Sequence, residues 1–243
     1  MVEIDGSNGA SRTVRTPGRG PRKLKDMPIQ HEQFLFPTGG TEVSAAFASP
    51  PDATAAIVVA HGAGAGMDHP FLTGFTNVLN DGGVATLRFN FPYREAGKKF
   101  PDRPPAAIQA WRDAMEAAAA RTAGLPLWAC GKSFGGRMAS MAAAEGMPTA
   151  GLILLGYPLH PPGKPEKMRD EHLYGLTLPM LFLQGTRDPF ALPGELEPVA
   201  ERVGPNAAVQ RIEGGNHSFE VRGNKRPPEQ IGGELAEPVL AFV

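Results

Sequence analysis

Cysteine is nearly absent. Cys130 stands alone, so no internal disulfide can form, and neither a stapled secreted scaffold nor a cysteine-rich zinc site is available. Long apolar runs are missing as well. Stretches such as Ala55 to Ala60 and Leu152 to Leu155 fall far short of the roughly 20 residues of a bilayer-spanning helix, so no membrane span is expected. The six histidines show no H-E-x-x-H or other paired spacing, and no metal is predicted. Charge of one sign is lacking too, because a net charge of −1 gives no global field to gather nucleic acid. The opening Met1-Val2-Glu3-Ile4-Asp5 lacks the basic-then-apolar order of a secretory leader, and a cytoplasmic protein is expected.

The chain is long enough, at 243 residues with 42% hydrophobic, to bury one substantial core, which favours a single large α/β domain. Residues 1–30 stand apart: Arg12, Arg15, Arg19, Arg22, Lys23 and Lys25 give them a balance of +3, with glycine and proline in place of periodic apolar residues. They read as a flexible basic tail preceding a domain over 31–243. Such an arm can touch an acidic partner, but nucleic acid is not expected as a partner.

From Phe34 onward, short β-rich runs alternate with helical patterns, the signature of a mostly parallel sheet covered on both faces. Strands are predicted at 33–36, 41–48, 55–60, 84–89, 127–130, 151–155, 180–183 and 208–212. Helices are predicted at 71–79, 106–123, 137–145 and 229–243. The second carries Ile108, Trp111, Met115 and Ala118 on one stripe. The last is expected to break at Gly232-Gly233. The proline-rich insert between Leu155 and Met180 is too short for a domain and can form only a rim or small flap.

The chemical signal is Gly131-Lys132-Ser133-Phe134-Gly135, a G-x-S-x-G between a predicted strand and helix. A serine in so sharp a turn leaves no room for neighbouring side chains, and its hydroxyl projects above the sheet. The amide of Phe134 then lies beside an incoming carbonyl oxygen. Asp188 follows the strand at 180–183 and His217 follows that at 208–212. The order is serine, acid, histidine, with separations of 55 and 29 residues. His217 can take and return the hydroxyl proton while Asp188 fixes the imidazole.

The loop His61-Gly62-Ala63-Gly64-Ala65-Gly66 follows the strand at 55–60, and the amide of Ala63 or Gly64 can be a second oxyanion donor. His61 reads as a structural histidine. Two phosphate-loop readings fail on spacing. A Walker A motif ending at Gly131-Lys132-Ser133 needs glycine where Pro126 stands, and a dinucleotide fingerprint from Gly62 needs glycine or alanine where Met67 stands. No cofactor is implied.

The group His61-Gly62-Ala63-Gly64, Met67-Asp68-His69-Pro70-Phe71, Arg88-Phe89-Asn90-Phe91-Pro92-Tyr93, Gly131 to Arg137 and Tyr157-Pro158-Leu159-His160-Pro161-Pro162-Gly163 resembles the α/β-hydrolases. Within them it is similar to a dienelactone-hydrolase-like branch that includes a testis-expressed protein and a subunit of the nonspecific-lethal histone acetyltransferase complex. The resemblance covers about residues 34–243. It implies an α/β-hydrolase fold with a sheet of about eight strands, no large cap domain, and the triad Ser133, Asp188 and His217. It brings no substrate. Two features depart from commoner patterns: Lys132 precedes the nucleophile where an aromatic or histidine is usual, and the cysteine nucleophile of dienelactone hydrolases proper is absent. Cys130 reads as a core thiol.

Cations at Arg88, Arg94, Lys132, Arg137, His160, Arg169 and His172 fall in loops expected near the sheet's C-terminal edge. Lys132, Arg88 and His160 are taken as candidate substrate-binding residues. Convergence of two cations on the mouth favours an anionic substrate, whereas pairing with Glu95, Asp170 or Glu171 leaves a solvated rim. The leading expectation is a serine hydrolase acting on a small ester or related acyl substrate. The rival is a catalytically silent scaffold of the same fold serving protein–protein contact.

Overall fold

The computed structural model describes residues 27–101 and 103–243. Most of the expected tail lies outside the described residues, and Gln30 already opens the first strand. Eight strands form one sheet: β1 (Gln30–Thr38), β2 (Thr41–Ser49), β3 (Ala55–Ala60), β4 (Val84–Phe89), β5 (Leu127–Lys132), β6 (Leu152–Leu155), β7 (Met180–Gly185) and β8 (Ala207–Ile212). Their order is β1-β2-β4-β3-β5-β6-β7-β8. The β1–β2 hairpin turns on Gly39 and Gly40, both at positive φ, as a two-residue turn demands. From β4 onward all pairings are parallel.

Strand β3 shows how the sheet divides the core. All six of its residues are buried, and alternate ones serve opposite faces. Ala56, Val58 and Ala60 join a cluster with Trp111, Met115 and Met138, whereas Ala55, Ile57 and Val59 pack with Phe71, Phe75 and Leu235. The first cluster is supplied by helices α3 (Pro104–Ala119), α4 (Phe134–Ala144) and α5 (Leu196–Val203), the second by α1 (Pro70–Asp81) and α6 (Pro228–Phe242). A single turn, α2 (Pro92–Glu95), lies between β4 and α3.

Three element boundaries depart from expectation for identifiable reasons. Helix α3 stops at Ala119, and the next residues turn into Ala123 and Gly124, both at positive φ. Helix α4 begins at Phe134, directly after Ser133, instead of at 137. Helix α6 runs unbroken through Gly232-Gly233 because it crosses α1 backbone to backbone. A Cβ on Gly232 would sit 1.9 Å from the Phe71 carbonyl oxygen, and one on Gly74 would sit 2.0 Å from that of Glu229. The glycines are there for the crossing. Helix α5 was not anticipated, since eight residues with three buried side chains give little periodic signal.

The loops after β3 and β5 leave toward opposite sides of the sheet, one to β4 and the other to β6, opening a crevice at their C-terminal ends. The insert after β6 contains a single 3₁₀ turn, Glu171–Gly175, and forms a rim to that crevice. No helix among the described residues is long and apolar enough to cross a membrane.

Candidate active site

Ser133 directly follows β5 and caps α4 with φ +50° and ψ −112°, a conformation rarely open to a non-glycine residue. Neighbouring backbone enforces it. A Cβ on Gly131 would lie 2.2 Å from the Gly136 amide nitrogen, and one on Gly135 would lie 2.7 Å from the His61 carbonyl oxygen. The Ser133 amide donates to the Leu155 carbonyl at 2.9 Å, and Trp111 Nε1 donates to the Gly135 carbonyl at 3.0 Å within the core. The turn is therefore held from β6 and from α3.

The His217 ring lies between the serine and an acid. His217 Nε2 is 2.8 Å from Ser133 Oγ, and Nδ1 is 2.7 Å from Asp188 Oδ2. An ionised Asp188 can only accept, so Nδ1 carries the proton and Nε2 faces the hydroxyl as a base. Asp188 is fully buried, and its carboxylate also accepts from Gln184 Nε2 at 2.7 Å and from the Phe190 amide at 2.9 Å. Three donors thus offset its desolvation. The loops bearing acid and histidine are tied by the Arg187 amide donating to the Gly215 carbonyl at 2.8 Å. Phe190 packs on the imidazole with ring centroids 4.2 Å apart.

Opposite the serine, the loop after β3 is shaped by His61 and Tyr93. His61 is buried. Its Nδ1 lies 2.8 Å from the Gly62 carbonyl oxygen as donor, and Nε2 accepts from the Phe91 amide at 3.2 Å. Burial lowers its pKa to about 4. The Tyr93 hydroxyl donates to the Ala63 carbonyl at 2.9 Å. The amides of Ala63, Gly64 and Phe134 donate to no acceptor among the described residues. All three residues line the same cleft as Ser133, a space of about 510 Å³.

The model of the alpha/beta hydrolase domain family matches residues 53–238, most of the chain. The chain belongs to that family. Its fold is also that of solved structures of low identity. A lidless α/β serine hydrolase from Xanthomonas campestris superposes with a TM-score of 0.70 at 20% identity, covering 89% of this chain and 97% of that one. A dienelactone hydrolase from Anabaena variabilis gives 0.69 at 20%, with 88% and 96% covered. An α/β serine hydrolase homologue from Coxiella burnetii gives 0.69 at 17%, with 87% and 97% covered.

On this α/β-hydrolase frame the three candidate substrate-binding cations go to different places. Lys132 lines the cleft and donates from Nζ to the His217 carbonyl at 2.7 Å, with the rings of Phe71 and Phe219 5.7 and 5.2 Å away. Burial lowers its pKa to about 8, against the opposing pull of Asp188. Arg88 does not reach the cleft. It bonds the Met67 carbonyl at 2.7 Å and pairs with Asp68 at 3.2 Å. Its register opposite Val59 sets it on the face covered by α1 and α6. His160 is buried away from the cleft, with Nε2 2.9 Å from Glu195 Oε2.

Gln184 and Phe190 were missed as supports for Asp188. The Asp188-Pro189-Phe190 segment carried a signal, since an aspartate accepting from the amide two residues on is a common turn. Gln184 carried none beyond its place on a strand. Cys130 is buried in β5, where desolvation raises its pKa well above the usual thiol range, in keeping with a core thiol.

Proposed function

We propose that this protein is a serine hydrolase cleaving a small ester or related acyl substrate, within the dienelactone-hydrolase-like branch its motifs resemble. The observation that carries the reading is the continuous path from Ser133 Oγ through the His217 ring to the buried Asp188 carboxylate. A silent scaffold gains nothing from holding a serine at positive φ against an imidazole.

Ser133 Oγ attacks the carbonyl carbon as His217 Nε2 takes its proton, and Asp188 stabilises the imidazolium that forms. The oxygen that becomes negative is received by the Phe134 amide and by that of Ala63 or Gly64. His217 passes the proton to the departing alkoxide, the alcohol leaves, and the acyl group remains on Ser133. A water then loses its proton to His217 and attacks the ester, and Ser133 recovers its hydrogen as the acid departs. Lys132 holds the His217 backbone in register with the serine.

Ser133→Ala is expected to cut turnover of 4-nitrophenyl acetate by about 10³-fold or more, with an unfolding midpoint near that of wild type. Undiminished turnover in that variant overturns the reading.

A further inference from the structure

The cleft has a second feature that the acyl chemistry does not use. Arg137, one helical turn after Ser133 on α4, and Arg169, on the rim after β6, both line it. Neither guanidinium makes an ion pair or hydrogen bond among the described residues. Arg137 Nε is buried with no acceptor among the described residues. An unpaired buried donor on a charged group is costly, and two like charges sharing a cleft add to that cost.

The surroundings do not neutralise them. Burial and the neighbouring Arg169 charge lower the Arg137 pKa, so the two cations feel each other. Next to them, His172 shares a hydrogen bond with Ser140 Oγ at 2.8 Å, and burial lowers its pKa to about 4, leaving it uncharged at neutral pH. The Tyr157 hydroxyl donates to the Arg169 carbonyl at 2.7 Å and its pKa is raised, chiefly by burial. Asp170 receives the Tyr174 hydroxyl.

We infer that Arg137 and Arg169 form an anion clamp beside Ser133, selecting acyl substrates that carry a carboxylate or phosphate a short chain away from the scissile ester. The inference rests on the hydrolase reading of the cleft. Two guanidiniums present paired donors to one anionic group, and such charge-assisted bonds are stronger than neutral ones. Binding the anion would satisfy Arg137 Nε and relieve the repulsion between the two cations.

The test is calorimetric binding to the Ser133→Ala protein, which keeps the cleft whether or not the wild type turns over. Monoethyl glutarate, its neutral carboxamide counterpart and ethyl 4-phosphonobutanoate are the probes. The anionic esters are expected to bind about ten-fold or more tighter than the carboxamide, and the tighter of the two names the anion. Adding Arg137→Gln or Arg169→Gln is expected to remove that preference. Equal affinity for charged and neutral probes, or a preference surviving both substitutions, overturns the clamp. Turnover of neutral esters by the wild type bears on the hydrolase reading alone, so the two failures are distinguishable.

Discussion

A serine hydroxyl is a weak nucleophile in water, and in the proposed mechanism neighbouring groups, whose positions are set by burial and hydrogen bonding, change that. His61 shows the same logic in a structural role. It works as a neutral ring, donating through Nδ1 and accepting from the Phe91 amide through Nε2. Its folded pKa of about 4 lies below the ordinary 6.5. Between those values the unfolded chain binds a proton that the folded chain refuses, so stability is lost as pH falls from 6.5 toward 4. For a fully buried ring the loss approaches ~3 kcal/mol. Urea unfolding at pH 7 and 4.5 is expected to show a steeper loss for wild type than for His61→Asn, and equal slopes would contradict the assignment. At this scale the meeting of Ser133, Asp188 and His217 was legible because each follows a strand in the order the elbow requires. Arg88 and His160 were misplaced because a sequence puts a cation at the sheet's edge without saying which side of the strand it leaves from. Arg88 follows the pleat toward α1, where the Met67 carbonyl and Asp68 wait for it.

Among the elements, the α1–α6 pair separates what periodicity reveals from what it hides. Strands β3 to β7 were readable as apolar runs because each is buried on both faces. The glycine pair in α6 reads locally as a break, since glycine weakens a helix, and only the distant Phe71 carbonyl on α1, pressed against Gly232, explains it. The contact makes an asymmetric prediction. Gly232→Ala must push α6 off α1 and is expected to cost about 2 to 3 kcal/mol, or roughly 4 to 10 °C in unfolding midpoint. In Gly233→Ala the new methyl meets the Val78 side chain at 3.2 Å, which can yield, and the Gly74 carbonyl oxygen at 3.7 Å, an ordinary contact, so that variant is expected to stay near wild type. Thermal unfolding of the two checks it, and equal losses would contradict the crossing as the reason for the glycines.

At the scale of the whole molecule, one sheet topology gathers residues 63, 133, 188 and 217 at a common edge. The loops after β3 and β5 diverge there, and those after β7 and β8 fold back over the gap. The motif order implied this convergence. The rim cations did not announce theirs, because nothing in the chain tells which of seven cations find carboxylates and which stay bare. The central claim is that Ser133 is activated by His217, and covalent capture by a fluorophosphonate, read by intact mass and peptide mapping, tests it most directly. The account predicts one adduct per chain on Ser133, lost in Ser133→Ala and strongly slowed in His217→Ala. A folded wild-type protein that takes up no label, or a label that persists at another residue in Ser133→Ala, would contradict it.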